Sequence, residues 1–188
     1  MNKRYILGSI SSGVFIGLGV IINSLCNDRL IGAVLFSFGL LSIIELKIPL
    51  YTGRIGFIND KWLPVMLLLN LVGVIGIVSL YCLGVPNFHE IISDLGDLKF
   101  RKSFIEMLVC GILCGMLIHI AVLSKNKIIV CMAVCIFILI GAEHCVADFP
   151  FLVFNFSLYN FFKFVFVIVG NSIGAVFVNM IANRGDKY

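Results

Sequence analysis

Gly141-Ala142-Glu143-His144-Cys145-Val146-Ala147-Asp148 places an acid and a histidine in the middle of a long run that is otherwise apolar. An ionised side chain at the centre of a bilayer costs about 3 kcal/mol on insertion scales, so such residues persist where they face protein or a watery cavity. The stretch therefore reads as part of a transport pathway rather than ordinary core. It also reads as a break in its helix, because polar residues cluster at 143–150 and Pro150 removes a backbone donor. A second break matches it in the first half of the chain. Glu45-Leu46-Lys47-Ile48-Pro49-Leu50-Tyr51-Thr52-Gly53-Arg54 interrupts another apolar run. Pro49 disfavours helix before it, and Thr52-Gly53 supplies turn chemistry.

Working outward, apolar runs long enough to cross a bilayer lie at 5–25, 30–51 (interrupted), 62–83, 104–123, 128–147 (interrupted) and 159–182. The chain is 61% hydrophobic and 13% charged, with a mean hydropathy of +1.12. A soluble domain of this length could not hide so much apolar surface. The expectation is a single all-α membrane domain over 1–188 with six transmembrane helices. Lys3 and Arg4 precede the first span as they would a signal peptide, but the apolar part is too long and no A-x-A-like site follows. It is expected to be a retained helix.

The most polar segment, 86–102, divides the chain almost in half. Each half then holds three spans with the middle one broken. This pattern predicts two inverted three-helix repeats, at about 5–95 and 99–183, with broken second and fifth helices meeting near the midplane. With six spans both termini share a side. Lys3, Arg4, Lys61, Lys125, Lys127, Arg184 and Lys187 fall there, against Arg29, Lys99, Arg101, Lys102 and Lys163 opposite, so both termini are expected in the cytoplasm. The net charge of +4 is scattered, without the stripe a nucleic acid would need. No nucleophile–base pair or phosphate loop is visible, so an enzyme is not expected. Cys110/Cys114 and Cys131/Cys135 share helix faces at i, i+4, but neither pair has a nearby histidine or carboxylate to complete a metal site. Packing is the expected role. Gly111/Gly115 and Gly170/Gly174 form G-x-x-x-G pairs suited to close crossings, within a chain or between chains.

Four stretches together resemble the formate/nitrite transporter family. They are Phe36-Ser37-Phe38-Gly39-Leu40 with Leu50-Tyr51-Thr52-Gly53, Phe104-Ile105-Glu106 with Gly111-Ile112-Leu113-Cys114, the Gly141–Asp148 stretch, and Gly170-Asn171-Ser172-Ile173-Gly174. The resemblance implies an aquaporin-like fold, homopentamers with one pore per subunit, and small monovalent anions as cargo: formate first, with nitrite and hydrosulfide close behind. By the same resemblance His144 would be the central pore histidine, with Thr52 hydrogen-bonding near it. Lys99 would attract the anion, and Asn171 would lie beside the pore. Phe36, Leu40 and Phe137 would form the cytoplasmic-side constriction and Tyr51 the outer one. Glu143, Gly53 and Asp148 would be structural at the helix breaks. Pro49, Ala142, Asp148, Gly115 and His119 depart from the family's usual residues.

The chemistry fits such cargo. A bare anion faces a large desolvation penalty in an apolar slot. Lys99 could draw it in and His144, with an ordinary pKa of about 6.5, could hand it a proton. Other roles are open for several residues. His144 could be a structural plug. Glu143 could anchor backbone donors or a subunit contact. Lys99 could be an exposed loop residue, and His119 could line the pore or pack at the lipid interface. Lys163 is expected to snorkel, and Trp62, Tyr81 and Tyr159 to anchor at the interface. A metal-binding or redox subunit using His119, His144 and Cys110 or Cys114 is the competing class. The favoured reading needs no cofactor and no metal.

Overall fold

The computed structural model describes residues 2–57, 60–124 and 126–185, and every regular element among them is helical. In chain order these are α1 (Lys3–Leu25), α2 (Arg29–Leu46), α3 (Tyr51–Arg54), α4 (Leu63–Gly84), α5 (Phe88–Lys99), α6 (Phe104–Ser124), α7 (Lys127–Leu139), α8 (Cys145–Phe154) and α9 (Leu158–Gly185). A short 3-10 turn, Ile55–Phe57, follows α3. Five helices, α1, α2, α4, α6 and α9, are long and apolar enough to cross a membrane. At 1.5 Å per residue each covers roughly 27 Å or more, close to a hydrocarbon core. Polar caps start several of them. Asp28 accepts from the Leu30 and Ile31 amides, and Asn126 from those of Ile128 and Ile129.

Both predicted breaks exist, with shifted edges. α2 runs to Leu46 and ends on Lys47 in the left-handed region, φ 53°; α3 resumes at Tyr51. The second break is earlier than expected. α7 stops at Leu139, Gly141 turns the chain at φ +71°, and α8 begins at Cys145 and runs through Pro150 to Phe154. The turn falls at Gly141 because glycine takes that backbone geometry freely. Pro150 sits inside α8, where it forfeits one ladder bond without ending the helix.

Uncoiled backbone inside a membrane must find partners, and two asparagines supply them in the same way. Asn70 on α4 donates to the Ser9 carbonyl at 2.7 Å and the Pro49 carbonyl at 3.2 Å, and accepts from the Tyr51 amide at 2.9 Å. Asn171 on α9 donates to the carbonyls of Gly111 and Glu143 at 2.9 and 2.8 Å, and accepts from the Cys145 amide at 2.9 Å. Each asparagine thus ties a long neighbouring helix, the end of a break and the first residue of the short helix after it.

Close crossings flank both clamps. A Cβ on Gly13 of α1 would come within 2.0 Å of the Asn70 carbonyl oxygen, and one on Gly73 of α4 within 2.0 Å of that of Ile10. In the second half, Gly115 and Gly174 would meet the carbonyl oxygens of Asn171 and Ile112 at 2.2 and 2.1 Å. The G-x-x-x-G pairs therefore serve the α6–α9 crossing within one chain.

The polar segment 86–102 contains a helix rather than a plain connection. Phe88, Ile92 and Gly96 bury one face of α5, with the Phe88 ring 4.8 Å from that of Tyr81. Asn155, just after α8, donates to the Ser93 carbonyl and to Asp97. Lys163 corrects the snorkelling expectation. It is 3% exposed, and its ammonium donates to the Phe100 carbonyl at the end of α5 at 2.7 Å. A cation there complements a helix C-terminus. Tyr159, over whose ring the Lys163 ammonium lies at 4.4 Å, keeps its exposure, whereas Tyr81 packs inward. In the phenylalanine-rich stretch 149–166, Phe151 and Phe164 are buried and Phe156, Phe161 and Phe162 are exposed.

The face carrying the chain's N-terminal end is fixed by contacts. Tyr5 donates to Asp60 at 3.3 Å, and His119 pairs with Asn179 at 3.4 Å. Arg29 marks the opposite face, donating to the carbonyls of Ile138 and Leu139 at the end of α7.

Substituting Gly115 or Gly174 by valine should destabilise the fold by about 1–3 kcal/mol through overpacking against backbone. Gly76, which nothing approaches within 4 Å, should accept alanine without loss. Thermal unfolding in detergent checks both. Replacing Asn70 or Asn171 by leucine should cost about 1–3 kcal/mol for each buried backbone group left unpaired. The two losses should be of similar size by the same measurement.

Candidate functional site

Two cavities approach each other through the protein from opposite faces. The first, about 480 Å³, is lined by Arg29, Phe36, Lys99, Phe137, His144 and Asp148 among others. The second, about 660 Å³, lies on the terminal face and is lined by Leu40, Leu50, Gly53, Arg54 and Phe57 among others. Phe36 and Leu40 are one turn apart on α2, so each looks into a different cavity. One break lines each cavity, Gly141 to His144 the first and Lys47, Ile48 and Leu50 the second, and the barrier lies between them.

His144 sits at that barrier because it caps α8. Its Nδ1 accepts from the Ala147 amide at 3.1 Å, and its Nε2 lies 2.8 Å from the Thr52 hydroxyl. These two bonds assign the tautomer. An Nδ1 that accepts from a backbone N–H carries no proton, so the hydrogen is on Nε2 and donates to Thr52 Oγ1. A second ring proton would set N–H against N–H and undo the helix cap. The ring is 2% exposed and stacks on Phe137 at 6.2 Å between centroids. Phe137 in turn meets Phe36 edge-on at 5.8 Å.

Charge is concentrated on the wall of the first cavity. Glu143 is fully buried and ion-paired with both Lys99 and Lys102. Lys99 also pairs with Asp148 at 2.9 Å. Lys102 donates in addition to the Gly141 carbonyl at 2.8 Å. Burying several charges together is tolerable only when they neutralise one another with good geometry; the end of α5 delivers Lys99 and the turn after it Lys102.

Sequence reasoning placed most of these residues, and the structure corrects several roles. Lys99 is not an exposed loop residue but the last residue of α5, held between two carboxylates. The Glu143 carboxylate takes the two lysines, while its backbone bonds to Cys110 and Asn171. Asn171 is 0% exposed and spends its whole carboxamide on backbone groups, so it shapes the break and lines neither cavity. The expected constriction is divided. Phe36 and Phe137 face the first cavity and Leu40 the second, so the three do not form one constriction on one side. Tyr51, 6% exposed, binds Ser172 at 2.9 Å on α9. Gly53 lines the second cavity at α3, and its open side faces Val122. Lys102, Arg29 and Asn70 were missed as individual contributors. Only the i, i+3 spacing of Lys99 and Lys102 before a span hinted at a shared target.

His119 does not face lipid. Its ring is buried over Gly56 and edge-on to Phe57 at 5.1 Å. Among the described residues no group of three or more His, Cys, Asp or Glu side chains converges as metal ligands would.

Comparison with known proteins fits this geometry. A family model described as formate/nitrite transporter matches residues 2–183. Among solved structures, one described as "Pentameric formate channel with formate bound" superposes with a TM-score of 0.77, at 20% identity, covering 98% of this chain and 97% of the other. Another, described as "FNT family ion channel", gives a TM-score of 0.82 at 21% identity, covering 96% and 89%. No curated protein sequence matches the chain. With the family model spanning nearly its whole length, this multi-pass membrane protein belongs to the formate/nitrite transporter family.

Proposed function

We propose that the protein is a channel for small monovalent anions and their conjugate acids across the cytoplasmic membrane, with formate the leading cargo and nitrite or hydrosulfide the alternatives. The observation that carries this is the His144–Thr52 hydrogen bond, set between two cavities that open toward opposite faces. A permeant at that barrier meets apolar walls from Phe36, Leu40, Phe137 and Tyr51, and the polar hydrogen on His144 Nε2 beside the Thr52 hydroxyl. It can take that hydrogen bond as Thr52 gives it up. The donor replaces part of the lost hydration of an oxyanion or thiol-type anion, which an apolar slot would otherwise withhold. Lys99 contributes attraction from the first cavity. Formate leads because a solved structure of similar fold is described as holding it.

Six spans arranged as two inverted repeats, about 5–95 and 99–183, are supported by the paired clamps of Asn70 and Asn171 and by the paired glycine crossings. α7 and α8 together would make the sixth passage. Cytoplasmic termini are supported by Lys3, Arg4, Lys47, Arg54, Lys61 and Lys127, which fall on the terminal side of the chain path. Lys125, Lys187 and the side chain of Arg184 lie outside the described residues. A homopentamer is supported by the pentameric neighbour and by apolar residues left exposed on the helix exteriors, such as Leu68, Leu80 and Ile105.

Purified protein in liposomes should pass formate, nitrite or hydrosulfide well above empty vesicles, and the order of the three rates names the cargo. His144→Asn keeps a capping acceptor for α8 but withdraws the Nε2 donor. A donor worth about 1.4 kcal/mol at the barrier corresponds to about a ten-fold slower flux. Unchanged flux in a variant of unchanged thermal stability would remove His144 from the pathway.

A further inference from the structure

The two lysines of the first cavity are already paired. Two hydrogens of the Lys99 ammonium go to Glu143 and Asp148, and the Phe151 ring lies 5.4 Å from the nitrogen. Lys102 is shared between Glu143 and the Gly141 carbonyl. Arg29, exposed, gives the hydrogens of one terminal nitrogen to the carbonyls ending α7 and keeps its remaining donors and its charge. Two lysines face two carboxylates, so this inner cluster is neutral, and an anion that binds Lys99 takes the place of one of the protein's own carboxylates.

The two carboxylates are not held alike. Glu143 is engaged at both oxygens, one to each lysine. Asp148, 4% exposed and lining the cavity, is engaged at Oδ1 alone; its Oδ2 is buried with no hydrogen-bond partner. An unpaired oxygen on a buried carboxylate is where a proton relieves the most. His144 is poorly placed to be that proton site, since its second nitrogen is tied to the Ala147 amide.

We propose that Asp148 is the proton-carrying residue of the first cavity and thereby sets when Lys99 can bind a monovalent anion. This rests on the channel reading above. The charged state of Asp148 holds Lys99. A proton from solvent adding to Oδ2 makes the side chain neutral, and the cluster gains one net positive charge. Lys99 then donates to the anion. The proton passes from Oδ2 to the anion's oxygen or sulfur, leaving its electron pair on Asp148. The carboxylate recaptures Lys99, and the neutral acid crosses the barrier between Phe36, Phe137 and His144.

The other charged and titratable groups facing Asp148 are accounted for. Lys99 comes from the end of α5 and Lys102 from the turn after it, Glu143 and His144 from the break, Cys145 from α8 itself and Cys114 from α6. Arg29 and Cys26 lie farther along the same cavity. α4 offers only Tyr81, packed on Phe88, and Cys82. The ionisable residues of α1 are at its far end, where Tyr5 meets Asp60, and Lys163 of α9 is bound to Phe100.

The test measures formate uptake into liposomes together with the charge it carries, from about pH 5 to about pH 8. Wild type should move no net charge per formate, and its rate should fall about ten-fold per pH unit once Asp148 titrates. Asp148→Asn is neutral at every pH. Its rate should be nearly flat over the alkaline half, and each formate should carry one negative charge. A variant with the wild-type profile and no current overturns the proposal. A second measurement stands if that variant fails to fold or to conduct. Formate added to lightly buffered, detergent-solubilised wild type should take up about one proton per bound anion, by linkage, and His144→Asn should do the same. No uptake by wild type, or uptake lost in His144→Asn, overturns the assignment. A wild type that passes none of the three anions fails at the channel reading. One that passes formate without proton uptake leaves that reading standing and removes only Asp148.

Discussion

Everything in this protein is organised around the need to satisfy peptide groups where a helix is interrupted inside the membrane. No water is available there to bond an orphan carbonyl or amide. Asn70 and Asn171 meet the need with the only side chain that offers two donors and an acceptor on a short stem, and each carboxamide uses all of them. For an asparagine to reach, the neighbouring helices must nearly touch, which is why glycine stands at the crossings beside it. The clamps in turn allow Thr52 and His144, one from each interruption, to stand 2.8 Å apart.

His144 joins structure and chemistry in a single ring. One nitrogen completes the first turn of α8 and the other is presented toward the barrier. The same helix brings Asp148 one turn later to Lys99. Position along α8 thus couples the hydrogen offered at the barrier to the charge held in the cavity above it.

Much of this was legible in the sequence. Long apolar runs, two interruptions and an embedded acid–histidine pair are statements about solvation, and solvation leaves a direct imprint on composition. The interruptions were recognised, but their edges were not, because Pro150 is a conspicuous breaker that here lies inside a helix, while the turn is made by the less conspicuous Gly141. Asn70 was invisible because one asparagine in an apolar run says nothing of what it reaches. α5 was hidden for a related reason: charged residues are interspersed with apolar ones along it, and only the burial of Phe88, Ile92 and Gly96 reveals its inner face. Lys163 looked like an interfacial residue since its partner, the Phe100 carbonyl, is a backbone group with no sequence signature. The Lys99–Glu143–Asp148 arrangement needed three elements distant in sequence to converge, which only tertiary structure discloses.

The two sides of α5 carry opposite messages. Its inner end holds Lys99 against buried carboxylates, whereas Glu90, Asp94 and Asp97 stand on its exposed side. Outside the cavity stand exposed carboxylates and, at its edge, the exposed Arg29 guanidinium, while the charges within are paired and buried. Dissolved electrolyte screens exposed charges far more than buried ones. Ionic strength consequently acts on the exposed charges and leaves the inner cluster largely untouched, so the site carries two electrostatic layers that answer separately to salt.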